Sequence, residues 1–157
     1  MPNYIRSKRY GGTFFFTVTL KDRQSTALLD HIELLRESVR FTLTQKPFQI
    51  IAWVVLPDHI HAIWELPESD NDFSRRWQMI KSRFTRKLRE TKKYNLSPWQ
   101  NRFWEHEIQS EEDLEAHIHY VYFNPVKHGY VTSIQDWPYS SVHRDVKRGV
   151  YCYQDFL

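Results

Sequence analysis

Residues 48–66 read FQIIAWVVL-PD-HIHAIWEL, two apolar runs on either side of a short turn. Runs of this length, rich in β-branched and aromatic residues, are typical of buried strands, and Pro57-Asp58 is typical of a tight turn. The stretch therefore predicts an antiparallel pair of strands, Phe48–Leu56 and His59–Leu66. Because side chains alternate between the two faces of a strand, His59 and His61 are expected on one face, next to the turn.

The residues before the hairpin predict one strand and one helix. Aromatic and β-branched residues indicate a strand at Thr13–Leu20. Apolar residues at three- and four-residue spacings then predict an amphipathic helix that starts at Ser25 and ends before Pro47. The hairpin is therefore preceded by a strand and a crossover helix.

The residues after the hairpin repeat this order and add a third helix. The expected elements are a helix over Phe73–Leu88, a strand over Arg102–Ile108 and a helix that begins after Ser110. The last helix should end or kink at Asn124-Pro125, with a short turn stopped by Gly129, because a residue before proline disfavours the helical conformation. The tail beyond it is predicted to be irregular.

Together these elements predict one domain over residues 1–157 with an α+β, ferredoxin-like split βαβ fold. Its antiparallel sheet carries helices packed on it, and the additional C-terminal helix bears a tyrosine, Tyr120. The apolar fraction of 41% is enough for a core. The lone Cys152 excludes an internal disulfide, and no stretch resembles a membrane span or signal peptide, so a cytoplasmic protein is expected.

Basic residues are concentrated in two zones although the net charge is only +3. Residues 75–93 hold nine lysines and arginines against one acid, and the N-terminus holds three more basic residues. Such a run fits a solvated helix face, and it equally fits a surface that contacts a polyanion such as DNA. The candidates for DNA contact are Tyr4, Arg6, Arg9, Arg75, Arg76, Lys81 and Arg83.

Two distant segments combine into a candidate catalytic site. His59 and His61 offer two metal ligands, and Asn124 offers an amide oxygen one helical turn from Tyr120, on the same helix face. A metal such as Mg²⁺ or Mn²⁺ beside a tyrosine suits attack of the phenol on a phosphodiester. Tyr122 is the rival nucleophile, but two residues place it on the far side of the helix from Asn124.

Structural roles remain open for each of these residues. The histidines are compatible with an ordinary strand edge, Asn124 with a cap for the next helical turn, and Tyr120 with core packing. His117 lies one turn before Tyr120 and is a candidate either for assisting proton transfer or for a simple hydrogen bond. The conjunction of these residues favours the catalytic interpretation.

Four stretches resemble the REP-associated tyrosine transposases, bacterial relatives of the single-tyrosine HUH transposases of insertion sequences. They are AWVVLPDHIH at 52–61, RFWEH at 102–106, YVYFNPVKHG at 120–129 and DWPYSS at 136–141. The resemblance extends from about Tyr4 to Tyr151. It implies the ferredoxin-like fold predicted above.

The resemblance also implies an activity. By it, the chain is a metal-dependent, single-strand DNA endonuclease and strand transferase that acts at repetitive extragenic palindromes through a 5′-phosphotyrosine. His59, His61 and Asn124 match the metal ligands and Tyr120 the nucleophile. The implied partner is single-stranded or hairpin DNA of the bacterial nucleoid. A monomer is favoured, and a homodimer remains open.

Two other function classes compete with this interpretation. One is a non-catalytic hairpin-DNA-binding protein derived from a transposase. The other is a metal-dependent hydrolase of small phosphoesters, which would turn over without a covalent adduct to DNA.

Overall fold

Four antiparallel strands form one sheet in the computed structural model, which describes residues 11–91 and 96–157. The strands are β1 (Thr13–Thr19), β2 (Gln49–Val55), β3 (His59–Glu65) and β4 (Trp104–Glu107), and their spatial order is β2-β3-β1-β4. Helices follow β1 and β3 along the chain, which gives the topology of the ferredoxin-like split βαβ fold. The predicted α+β class is confirmed.

Helices cover both faces of the sheet. The helices are α1 (Ala27–Asp30), α2 (Ile32–Gln45), α3 (Phe73–Thr91), α4 (Glu111–Lys127) and α5 (Val142–Lys147). On one face α2 and α3 pack over Phe16, Ile60 and Trp64, and on the other α4 packs over Phe15 and Ile63. Within the described ranges, none of these helices has the length and apolar character needed to cross a membrane.

The hairpin register places the histidines at the end of β3 nearest the turn. Val54 pairs with His61 on one side, and Thr17 of β1 pairs with His61 on the other. Since residues two apart share a face, His59 and His61 lie on the same side as Ile63, which faces α4. The predicted hairpin therefore delivers both imidazoles to the face that α4 covers.

Two sequence predictions about helices were wrong in detail. The first helix is interrupted at His31, whose backbone angles (φ −121°, ψ 37°) are not helical. The third helix, which was expected to end or kink at Asn124-Pro125, continues through Pro125 to Lys127. Proline removes one hydrogen-bond donor near the end of α4, whereas Val121, Tyr122 and Pro125 are buried there, so packing maintains the last turn. Gly129, with φ +77°, ends this helix as predicted.

The tail, predicted to be irregular, pairs with the sheet and contains a short helix. Val55 donates its backbone N–H to the Tyr139 carbonyl at 2.9 Å, and Ser141 donates to the Trp53 carbonyl at 2.9 Å, so the tail pairs with the outer edge of β2. Helix α5 follows directly. The sequence signal was weak because these contacts are made to residues more than eighty positions away, and local periodicity does not record them.

Candidate active site

His59 and His61 form a buried pair of imidazoles with fixed orientations. Their exposed fractions are 5% and 3%, and their ring centroids are 4.8 Å apart. His59 Nδ1 lies 2.8 Å from Asp58 Oδ1, and His61 Nδ1 lies 2.8 Å from Thr17 Oγ1. With each Nδ1 engaged by an oxygen, each Nε2 is the nitrogen left to act as a ligand.

One face of α4 lies over this pair. Tyr120, Asn124 and His128 follow each other at intervals of four residues and so share a face. The Tyr120 ring is 5.1 Å from the His61 ring, and the His128 ring is 5.4 Å from the His59 ring. Asn124 stands between these two contacts along the helix, which directs it toward the histidine pair.

Three buried polar atoms at this junction have no hydrogen-bond partner among the described residues. They are His61 Nε2 and both side-chain atoms of Asn124, Oδ1 and Nδ2. Asn124 has no exposed surface, and α4 runs through it without interruption, so it does not cap a new helical turn. Buried polar atoms are almost always paired. Two imidazole nitrogens and one amide oxygen form a donor set that fits a divalent cation.

Electrostatics keep the His61 imidazole neutral. Burial first, and then repulsion from His59, His128 and Lys127, lower the pKa of His61 to about 3. The pKa of His128 is also lowered, by burial first and by His59 and Lys127 next. A neutral imidazole is the form that ligates a metal. The site therefore maintains a ligand-competent histidine across the physiological pH range.

Asp58 retains its negative charge beside the histidines. Burial alone would raise the pKa of Asp58, but hydrogen bonds from Arg23 and His59 outweigh that effect, and the net shift is downward. Its second oxygen accepts from Arg23 Nε at 2.5 Å. An ionised Asp58 accepts a hydrogen bond from His59 and so holds the tautomer with a free Nε2.

The two tyrosines of α4 have different environments. Tyr120 is 37% exposed, and Lys127 Nζ lies 4.8 Å from its ring centroid. Tyr122 is 1% exposed, and its hydroxyl donates to Asp145 and lies 2.9 Å from Ser141 Oγ. Burial and Asp145 hold the pKa of Tyr122 far above its usual value. Tyr120 alone of the two faces the histidines and remains accessible to a substrate.

His117 belongs to a neighbouring cluster. Its Nδ1 lies 2.8 Å from the Asp113 carbonyl oxygen and 3.1 Å from Asp113 Oδ1, and its ring stacks on His106 at 4.7 Å. His106 Nε2 lies 2.8 Å from Asp113 Oδ2. The Phe15 ring contacts both His117 (4.8 Å) and Tyr120 (5.8 Å). His117 is thus placed to support the position of Tyr120 through Phe15.

The predicted DNA-contact residues fall into different classes. Tyr4, Arg6 and Arg9 lie outside the described residues. Arg76 is a correction, because it is 1% exposed and donates to Asp70 and to the carbonyls of Lys46, Pro47 and Asp72. That arginine holds the start of α3 in place and has no surface left for DNA. Arg83 forms a two-nitrogen contact to Glu37, which neutralises its charge.

Other basic residues of α3 face a groove of about 820 Å³ between this helix and residues 97–103. Arg75, Arg86 and Arg89 line it, and Lys81 Nζ donates to the Gln100 carbonyl at 3.2 Å within it. In the described part of the chain, neither Arg86 nor Arg89 forms an ion pair. Burial lowers the pKa of Lys81. This groove lies on the α2–α3 side of the sheet and presents several basic side chains.

Sequence reasoning missed the residues that orient and surround the predicted site. Asp58 adjoins His59 in sequence, and Lys127 and His128 stand within about two turns of Tyr120, so helical spacing could have drawn attention to them. Thr17 could not have been found, because only the β1–β3 register brings it to His61.

The chain is similar to proteins of one known family. The family model described as Transposase IS200 like matches residues 9–124. The chain is 48% identical over 151 residues to the REP-associated tyrosine transposase of Escherichia coli (strain K12), and the match covers 96% of this chain and 88% of that protein. The solved structure of a REP-associated tyrosine transposase bound to a REP hairpin matches with a TM-score of 0.86 at 48% identity. The match covers 98% of this chain and 90% of that one.

Proposed function

The chain belongs to the IS200-like transposases, among the REP-associated tyrosine transposases, and on this premise we propose that it cleaves and rejoins single-stranded DNA beside REP hairpins. Its relative of known structure is bound to a REP hairpin, which supports the same class of partner here. The proposed catalytic residue is Tyr120, and the proposed product of cleavage is a 5′-phosphotyrosine.

One observation carries the proposal. An accessible tyrosine stands beside buried atoms of His61 and Asn124 that have no partner among the described residues. Leaving a buried polar group unpaired costs about 1–3 kcal/mol, and a bound ligand would remove that cost at three neighbouring atoms at once. Their arrangement supports a binding site for a ligand that the protein itself does not supply.

His59, His61 and Asn124 would hold a divalent cation, Mg²⁺ or Mn²⁺. When bound, such a cation neutralises charge on the non-bridging oxygens of the phosphate. Asp58 and Thr17 orient the imidazoles toward it. Lys127 places a further positive charge next to the Tyr120 ring, where the phosphate would lie.

Cleavage is a transesterification at phosphorus. The Tyr120 oxygen forms a bond to phosphorus and loses its proton, while the bond from phosphorus to the 3′ oxygen breaks and that oxygen takes up a proton. The DNA then carries a free 3′-hydroxyl on one side and a 5′-phosphotyrosine on the other. Because the bond energy is retained, a 3′-hydroxyl can attack the phosphotyrosine, which rejoins a strand and releases Tyr120.

The α3 groove is the proposed contact for DNA phosphates outside the catalytic site. Arg75, Arg86 and Arg89 present charges that no carboxylate pairs in the described residues, and Lys81 is half-buried without a counter-ion there. Phosphate contacts supply most of the affinity of such proteins without reading sequence. This assignment replaces Arg76 and Arg83 in the predicted set.

The test is cleavage of a REP hairpin oligonucleotide with single-stranded flanks, in Mn²⁺ and in EDTA. Tyr120→Phe should abolish nicking and the covalent protein–DNA adduct, and should leave hairpin affinity nearly unchanged. Tyr122→Phe is the matched control, because it removes a hydroxyl from the same helix on the side away from the histidines. It should still form the adduct.

Other outcomes separate the competing functions. If Tyr120→Phe still nicks the oligonucleotide, the nucleophile is wrong. If the unmodified chain binds the hairpin tightly but nicks nothing in Mg²⁺ or Mn²⁺, the non-catalytic DNA-binding function replaces the proposal. Turnover of small phosphoesters without an adduct would favour a hydrolase.

A further inference from the structure

Trp104 lies on the same face of the sheet as the histidine pair. Strand β4 pairs Trp104 with Thr17, and Thr17 pairs with His61, so the three residues form one row across the sheet. Directly paired residues of antiparallel strands point to the same side. The 2.8 Å contact from Thr17 Oγ1 to His61 Nδ1 shows which side that is.

The next row confirms this orientation. His106, two residues along β4, pairs with Phe15 and stacks on His117 of α4. Side chains two apart on a strand share a face, so Trp104 also points to the α4 side. With strands about 4.8 Å apart, two strand spacings put Trp104 about 10 Å from His61.

The Trp104 indole is exposed although it is the largest kind of apolar side chain. Its exposed fraction is 66%, against 45% for Tyr130 and 37% for Tyr120. Trp64, Trp77 and Trp99 are buried in the same protein. β4 is an edge strand of only four residues, and Trp104 is its first residue. An open indole face therefore stands at the rim of the candidate active site.

We propose that Trp104 is a stacking platform for one unpaired base next to the phosphate that Tyr120 attacks. This inference rests on the proposed function. Stacked nucleotides rise about 3.4 Å each, so the base lies within about three nucleotides of the scissile phosphate. The platform fixes the course of the strand as it enters the site.

An indole face stacks on any of the four bases, so Trp104 adds affinity and position without reading sequence. Trp104 is accordingly a positioning residue. It does not contact the reacting atoms, and its removal should raise the KM for nicking more than it lowers kcat.

The experiment is a double-mutant cycle that combines one protein substitution with one DNA modification and measures binding affinity. It is carried out in the Tyr120→Phe background so that the DNA is not cleaved. Hairpin oligonucleotides carry a single abasic site at each flank position in turn. Trp104→Ala should weaken binding of the intact oligonucleotide about 5- to 150-fold, the range for one aromatic–base stack. At one position the abasic site should cause the same loss when Trp104 is present and no further loss in the Trp104→Ala variant.

Two variants control for other effects. Trp104→Phe keeps an aromatic ring and should recover part of the affinity. Glu105→Ala alters the next residue of β4, whose side chain points to the opposite face, and should not reproduce the dependence on one abasic position. Quenching of the Trp104 fluorescence by DNA, taken as the difference from Trp104→Phe, should disappear with the same abasic site.

Two results overturn the platform. One is an affinity loss in Trp104→Ala that adds to every abasic substitution. The other is a change in self-association, measured by sedimentation, with unchanged DNA affinity, because Trp104 would then lie at a contact between two copies of the chain. The proposed cleavage activity can fail separately. If binding depends on Trp104 and on one abasic position, but the unmodified chain nicks no DNA, Trp104 remains a stacking platform and the nuclease function is rejected.

Discussion

Replacing Asn124 with leucine should stabilise the metal-free protein and weaken its response to metal. Asn124 has no exposed surface, and neither Oδ1 nor Nδ2 has a hydrogen-bond partner among the described residues. Leucine has nearly the same shape and carries no polar atoms. The substitution therefore removes an uncompensated cost from the folded state without opening a cavity.

The size of the effect follows from the cost of an unsatisfied buried amide, about 1–3 kcal/mol in protein mutational data. For a chain of this length each kcal/mol shifts the Tm by about 2–4 °C. In EDTA we expect the Tm of Asn124→Leu to exceed that of the unmodified chain by about 2–12 °C. In metal at about one hundred times its Kd, the unmodified chain gains about 2.7 kcal/mol.

The assay is thermal unfolding of both proteins in EDTA and in a Mn²⁺ titration. The Tm of the unmodified chain should rise with Mn²⁺, and the Tm of Asn124→Leu should rise much less, because one of the proposed ligands is lost. Asn101→Leu is the control, since Asn101 is an exposed amide and its replacement removes no buried polar atom. It should leave both the Tm in EDTA and the Mn²⁺ response nearly unchanged.

A lower Tm for Asn124→Leu than for the unmodified chain in EDTA would contradict this expectation. It would mean that the amide makes stabilising bonds in the protein itself. An equal Mn²⁺ response in the two proteins would remove Asn124 from the proposed ligands, whatever its effect on stability.

Three further outcomes are expected. Arg76→Met should lower the free energy of unfolding by about 2–4 kcal/mol in denaturant titrations, because the Pro47 carbonyl and the Asp70 carboxylate lose the donor that the buried Arg76 supplies. Arg75→Met should change the free energy of unfolding by less than about 0.5 kcal/mol. Equal losses in the two variants would reject the structural role of Arg76. Arg86→Ala and Arg89→Ala should each reduce the salt slope of DNA binding by roughly 0.7–0.9, and a slope unchanged in both would exclude the groove. In EDTA, the free energy of unfolding should fall more steeply with falling pH for the unmodified chain than for His61→Gln. The slopes should differ by up to about 1.4 kcal/mol per pH unit between the ordinary histidine pKa of 6.5 and the folded-state pKa of His61, about 3. In that pH window the unfolded chain binds a proton that the folded chain does not, so stability falls as the pH falls. Parallel curves of stability against pH for the two proteins would contradict the lowered pKa of His61.

The parts of the fold that follow from local pattern were predictable. Hydrophobic periodicity and turn residues within about twenty positions were enough to predict three features. These are the β2–β3 hairpin, the crossover helices and the end of α4 before Gly129. The parts set by distant contacts were not. Pro125 stays helical because its neighbours are buried against the sheet, and the tail is ordered because residues 139–141 pair with β2.

The same distinction between local sequence pattern and distant contacts applies to the candidate site. His59, His61, Tyr120 and Asn124 could be proposed as one group from the sequence, because a strand period and a helix period put them on single faces. The buried role of Arg76 was not identifiable, because a basic run on a helix gives no sign of which member points inward. Tyr122 shows the converse, since the helix period alone places it away from Asn124 and the structure gives it a partner, Asp145.

The charges around the site follow from its buried position. The imidazoles of His59, His61 and His128 lie at one junction with Lys127. A proton on His61 would be repelled by positive charge on the other three residues, and this repulsion adds to burial in lowering the pKa of His61. A phosphate at Tyr120, as proposed, would bring a negative charge next to Lys127. The surroundings that keep His61 neutral as a ligand would therefore also suit an anionic substrate in the proposed reaction, because Lys127 lies beside the Tyr120 ring.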